Sequence, residues 1–224
     1  MVKNYSKSLL FICTILLSCI HLSLNAQAYR KGSLLISLSE GSTFADYSTN
    51  DVSGKKPTRV NSQFMCGDRD PFIIEYGLTN KWGIGLSSGT DIFKVNSATF
   101  YNVSTADNTM KVSTSELTFD VNYHVFVNKR LDLSVFVSTG LFSANSKSTA
   151  GDVSYNYSSG GTILRAGTKA RYYFWKRLGA FGMISSYSAS GSPKNVKDNT
   201  VGKNYATSVT GMAVEAGFCF RILK

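Results

Sequence analysis

A closed antiparallel barrel of eight membrane-spanning β-strands is the fold this sequence predicts, on three observations. Apolar and polar side chains alternate at almost every step of FDVNYHVFVNKRLDLSVFV, residues 119 to 137, with only Asn128-Lys129-Arg130 breaking the rhythm. Period 2 sustained on both sides of a tight turn is the mark of a hairpin whose two faces meet different surroundings. Three such hairpins recur, with central lysines Lys81, Lys129 and Lys176 spaced 48 and 47 residues apart. Along the chain, the hairpin turns of two to four residues alternate strictly with longer connections rich in Ser, Asn, Thr, Asp and Gly.

In order along the chain, a single strand is expected over Lys31 to Glu40. The first hairpin runs through Phe72, Ile74, Tyr76 and Leu78, turns at Thr79-Asn80-Lys81, and leaves through Trp82, Ile84 and Leu86. The second carries Leu117, Phe119, Val121, Tyr123 and Val125 into the turn and Leu131, Leu133, Val135 and Val137 out of it. The third takes Leu164 to Phe174, turns at Trp175-Lys176-Arg177, and continues from Leu178 to Ser188. A last strand, Ser208 to Leu223, brings the number to eight. The long connections expected are 42–70, 96–112, 146–160 and 191–205, whose composition suits external loops, with the short turns at the periplasmic end.

Residues 1 to 28 read as a secretory signal peptide: Lys3 and Lys7, the apolar run Leu9 to Leu24, then the small-x-small site Ala26-Gln27-Ala28. Leu17-Ser18-Cys19 offers a competing lipidation site, which the simple cleavage site disfavours. The barrel domain is then 29–224. Of 24 Lys+Arg and 14 Asp+Glu, the leader removes two lysines and no acid, leaving 22 and 14. The basic residues are scattered and do not form the clustered patch a nucleic acid would need. Cys13 and Cys19 leave with the leader, and Cys66 and Cys219 read as free thiols.

Alternation alone does not separate a soluble sheet from a lipid-embedded one. Three features favour lipid. The strands read as 9 to 14 residues long, where a tilted strand needs about 9 to 11 to cross the hydrocarbon layer. Tyr76, Trp82, Tyr123, Phe126, Tyr172, Phe174, Trp175, Phe218 and Phe220 gather near the short turns and the C-terminus, as an aromatic girdle at a headgroup level would. Glu75, Asp91, Asp120, His124, Asp132, Arg165, Lys169, Arg171 and Glu215 alternate with apolar neighbours, so they form the other face, a lumen in which acids and bases can pair. Asp132 and Arg171 stand at similar depth from the short turns and are expected to meet. Because backbone groups in lipid must all be bonded, the sheet must close.

These residues resemble the small eight-stranded outer-membrane barrels of the OmpA-transmembrane, OmpX and OmpW type, the "porin family" proteins of Bacteroidetes-like bacteria. The resemblance covers Tyr29 to Lys224 and is carried by the architecture, by Gly83-Ile84-Gly85-Leu86 and by Ala216-Gly217-Phe218-Cys219-Phe220. It implies a location in the cell outer membrane, contact with outer-membrane lipid and lipopolysaccharide, insertion by the barrel assembly machinery, and a monomer. In that family the last strand ends on an aromatic residue; here Arg221-Ile222-Leu223-Lys224 follow Phe220.

No cofactor is expected, and the chain holds two histidines, His21 in the leader and His124. A zinc site from Cys66, Cys219 and His124 would need distant parts of the barrel to meet. The leading reading is a structural or surface-interaction barrel whose external loops are the binding elements. The loop Ser42 to Asp70, with Lys55, Lys56, Arg59 and Arg69, is a candidate contact for anionic lipopolysaccharide. Three alternatives compete: a narrow pore, using the space left by Gly83, Gly85, Gly89, Gly167 and Gly217; a lipid-modifying enzyme with His124 as base; and a soluble lipocalin-like binder with an apolar cavity.

Overall fold

In the computed structural model, residues 28–51, 58–96, 109–150, 153–193 and 205–222 are described. They form one closed antiparallel barrel of eight strands. These are β1 (Leu34–Asp51), β2 (Thr58–Gly77), β3 (Trp82–Asn96), β4 (Thr109–Val127), β5 (Leu131–Ala150), β6 (Val153–Tyr173), β7 (Leu178–Pro193) and β8 (Tyr205–Arg221). Each strand pairs with its sequence neighbours, and β8 closes on β1 from Leu35↔Arg221 to Asp51↔Tyr205. Among the described residues there is no helix.

The short turns are built by side chains the sequence supplies at the right offsets. Thr79 Oγ1 accepts hydrogen bonds from the Lys81 and Trp82 N–H groups, and Asn128 Oδ1 accepts from Arg130 and Leu131. Such local side-chain acceptors mimic a backbone turn and fix the hairpin register. A register shift between His124 and Phe126 leaves both Val125 and Phe126 exposed on the outer wall and still sends His124 inward.

Outside, the wall is apolar near the short turns. Leu38, Phe72, Leu86, Phe119, Val121, Val135, Val137, Ile184, Val214 and Phe218 are exposed there. Inside, charged side chains are buried, with Arg171 and Asp132 both at 0% exposure. A soluble barrel requires the reverse arrangement, so the lipocalin-like alternative fails on the faces of the sheet. An exposed apolar belt of this extent is stable only against lipid.

The strands run further than the alternation suggests. They are 15 to 21 residues long, about 50 to 70 Å at strand rise, well beyond a bilayer crossing. Two of the ranges expected as long loops are therefore largely sheet: 42–51 and 58–70 belong to β1 and β2, and 146–150 and 153–160 to β5 and β6; of the other two, 109–112 extend β4 and 191–193 extend β7, while 97–108 and 194–204 lie outside the described residues. The cause is visible on the outer wall. Past the belt the outward residues are Ser115, Asn145, Ser188, Ser190 and Thr210, all exposed. There the outer face is mostly polar, with Phe64 an exposed exception, and the inner face mixes Tyr47, Phe93 and Val112 with Thr43, Thr114 and Ser146, so the apolar–polar alternation weakens while the hydrogen-bonded ladder continues. Lys55 and Lys56 lie outside the described residues.

Candidate functional site: the charged lumen

The alternation that sends apolar residues out sends a column of charges in. Near the short turns, four side chains from four strands close a ring. His124 on β4 places Nδ1 2.6 Å from Asp132 Oδ1 and Nε2 2.8 Å from Glu75 Oε1. Arg171 on β6 donates from Nη1 to Asp132 Oδ2 at 3.0 Å and from Nη2 to Glu75 Oε2 at 2.5 Å. Each carboxylate thus bridges the histidine and the arginine. Both imidazole nitrogens face carboxylates, an arrangement the doubly protonated ring satisfies with two donors.

One level further in, Lys169 Nζ lies 2.8 Å from Asn122 Oδ1 and 3.4 Å from Asp120 Oδ2, with the Phe136 ring centroid 4.2 Å away. Asp120 also accepts from Ser87 and Thr118. Farther still, Arg69 on β2 ties the barrel across. It donates to Asp91 on β3 at 2.9 Å, to Glu215 on β8 at 2.7 Å, and to Glu116 on β4. Glu116 is shared with Arg165 on β6 at 2.7 Å, and Arg165 also donates to Ser185 and covers the Tyr187 ring. Charges taken out of water in this way are tolerable because nearly every one has an opposite partner and further hydrogen bonds.

Beyond Arg69 the lumen becomes apolar. Ala45, Tyr47, Met65, Phe93, Val112, Phe142, Ala144, Ile163, Tyr187, Ala189 and Val209 pack into one buried cluster. Space beside two of the glycines a pore would use is occupied by side chains: a Cβ on Gly89 would lie 2.9 Å from the Arg69 guanidinium, and one on Gly167 would lie 2.9 Å from the Phe136 ring. An eight-stranded barrel is narrow enough for its own side chains to do this.

The sequence reading misplaces one member of the lumen and omits another: Arg69, expected among the loop cations offered to lipopolysaccharide, is buried inside the barrel, and Glu116 is not named. Arg69 falls in the range read as a loop, because Asp68, Asp70 and Pro71 look like turn residues; yet Arg69, Ile73 and Glu75 share the inward parity. Glu116 stands one residue before Leu117, where the apolar alternation begins. Of the girdle residues, Tyr76, Trp82, Phe126, Tyr172, Phe218 and Phe220 are exposed on the outer wall, and Tyr123, Phe174 and Trp175 are half-buried there. Trp82 packs on Tyr123 at 4.8 Å between ring centroids.

His124 has no free ring nitrogen for a serine, since Glu75 and Asp132 take both. Cys66 faces outward and Cys219 inward, both as free thiols, so neither a disulfide nor a shared metal site joins them. Among the described residues no group of His, Cys, Asp and Glu side chains is arranged to hold a metal ion.

No protein-family model matches the sequence, and no curated protein does. Solved structures do match. The outer membrane protein OprG of Pseudomonas aeruginosa superimposes with a TM-score of 0.56 at 12% identity, covering 87% of this chain and 98% of OprG. AlkL, an outer membrane protein solved in DMPC lipid bilayers, gives 0.51 at 12%, covering 88% and 93%. Ail, the attachment invasion locus protein of Yersinia pestis, in complex with the heparin analogue sucrose octasulfate, gives 0.50 at 14%, covering 85% and 99%. The fold is that of the small eight-stranded outer-membrane barrels.

Proposed function

We propose that this chain is an outer-membrane barrel, exported by a leader removed at residue 28, whose lumen is sealed and whose work is done on its outer surface and at the end that projects beyond the lipid belt. The observation that carries the reading is the cross-barrel tie: Arg69 on β2 is bonded to carboxylates of β3, β4 and β8. A side chain anchored to three other strands blocks the bore and stiffens the wall. What remains for function is the rim and the strand extensions, where the outer wall is polar and exposed. Membrane lipid and lipopolysaccharide are the partners of the belt and girdle, the short turns face the periplasm, the assembly machinery inserts the barrel, and the protein works as a monomer without nucleic acid or catalysis. Lys55, Lys56 and Arg59 offer cations to lipopolysaccharide phosphates.

Reconstitution into planar bilayers tests the sealed lumen. The expected record shows no step above leak; a stable single-channel conductance would replace this reading with the narrow pore. The surface reading is tested separately. Deleting Lys55 to Arg59 is expected to weaken binding to lipopolysaccharide vesicles relative to neutral phosphatidylcholine vesicles, and unchanged binding removes those cations from the proposal.

A further inference from the structure

Upstream of β1, residues 29–33 are not part of the eight-stranded ladder, yet they are held across the short-turn mouth. The Lys31 N–H donates to Asn80 Oδ1 at 3.0 Å and the Gly32 N–H to Gly77 O at 2.8 Å. Ahead of these anchors the Tyr29 side chain dips into the lumen. Its ring stacks on His124 with centroids 3.3 Å apart and planes 16° from parallel, and its hydroxyl donates to Trp82 O at 2.8 Å.

The wall is shaped to receive it. Gly77 and Gly83 are cross-strand partners on β2 and β3. A Cβ on Gly83 would lie 2.8 Å from the Tyr29 hydroxyl and 2.6 Å from Glu75 Oε1, and a Cβ on Gly77 would lie 3.1 Å from that hydroxyl. Two opposed positions without side chains make the slot the phenol occupies. A cleft of about 370 Å³ lined by Tyr29, Asn80, Lys81, His124 and Phe126 opens beside the ring, so the side chain has room to swing aside without disturbing the strands.

We propose that residues 29–33 form a movable stopper with Tyr29 as its head, which shields the ring of His124, Asp132, Arg171 and Glu75 from solution at the short-turn mouth. With Tyr29 seated, His124 is 1% exposed and its two nitrogens are held in the ring. With Tyr29 withdrawn, water reaches His124 and Glu75, while the Arg69 tie farther along still blocks the bore. The mouth becomes a water-filled vestibule rather than a channel.

The protein extracted from outer membranes tests this, because His124 is the single histidine once the leader carrying His21 is gone. With histidine labelled by nitrogen-15, the His124 ring N–H groups exchange slowly with water in the parent protein. Tyr29→Ala should speed that exchange by roughly tenfold or more, as expected for removal of a local cover. Tyr29→Phe keeps the stacked ring and loses the bond to Trp82 O, so its rate should rise by less. A heat-dependent gel mobility shift retained by each variant shows that the barrel is intact. Exchange in both variants at the parent rate, slow or fast, overturns the stopper; if Tyr29→Ala does not fold, the Tyr29→Phe comparison decides alone.

Discussion

The two halves of the lumen differ in where the charges lie. Toward the short turns a column of paired charges, from the His124 ring through Lys169 to the Arg69 tie, threads a buried apolar cluster of Leu35, Ile73, Phe136, Tyr173, Phe181 and Met183. Toward the far end the ion pairs stop, and Tyr47, Met65, Phe93, Phe142, Ile163 and Val209 pack with small polar residues such as Thr43, Thr114 and Ser146. The outer wall changes along the barrel too: apolar around the charged half, and mostly Ser, Thr, Asn and Asp around the far half, with Phe44, Phe64, Leu141 and Leu164 as apolar exceptions. Where lipid takes the apolar residues outside, the alternation leaves polar ones for the inside. Where water surrounds the wall, the same alternation lets an apolar core form within. The protein is an inverted barrel at one end and a conventional one at the other.

The difference predicts how each half fails. Paired charges in a dry lumen depend on every partner, so truncating one leaves others buried without compensation. Arg69→Met should have the largest effect, since it strips Asp91 and Glu215 of their ion-pair partner and leaves Glu116 with Arg165 alone. A loss of about 3 to 5 kcal/mol is expected, the cost of breaking a buried pair by removing one partner. Urea unfolding in vesicles, followed by the fluorescence of Trp82 and Trp175, measures it. A loss below that of any apolar truncation would mean the carboxylates find water and the lumen is wet.

Arg171→Met sharpens the comparison within the charged half. Glu75 and Asp132 both lose the guanidinium but keep His124, so the loss should be smaller, about 1 to 3 kcal/mol, the penalty for leaving a buried polar partner unsatisfied. If Arg171→Met costs as much as Arg69→Met, the histidine is not sustaining the ring.

How much of this the sequence discloses follows the same boundary. In the lipid-belted half, both faces are marked, so eight strands, their inward charges and the approach of Asp132 to Arg171 can be read from period 2. In the projecting half, Ser, Thr and Asn occupy the outer face while inward residues such as Ala45, Thr49, Ala144 and Ser146 are small or polar too. The contrast that reveals a strand is then lost, although the backbone ladder continues from Ser42↔Asp68 to Asp51↔Thr58 with one register shift between Thr49 and Asn50. Arg69 is hidden by that change, and with it the hub of the lumen. Tyr29 is hidden for another reason. Its role depends on Gly77, Gly83 and His124, brought together by pairing between strands, and nothing local in Ala28-Tyr29-Arg30 announces it.

The apolar half should give the smallest response and one of a different kind. Ile163 on β6 is 2% exposed within the far cluster. Ile163→Val removes one methylene and leaves a small cavity, costing about 1 kcal/mol. No charge is stranded, so the loss should be the same at low and high salt. Close pairing makes the Arg69 cluster only weakly accessible to screening while intact; once Arg69 is gone, the repelling carboxylates should respond to added salt. The contrast in the salt dependence of the unfolding midpoint, flat for Ile163→Val and rising for Arg69→Met, separates the two kinds of packing. Parallel salt responses would mean that water and ions already enter the charged half, and that the lumen is a solvated vestibule instead of a core built from ion pairs.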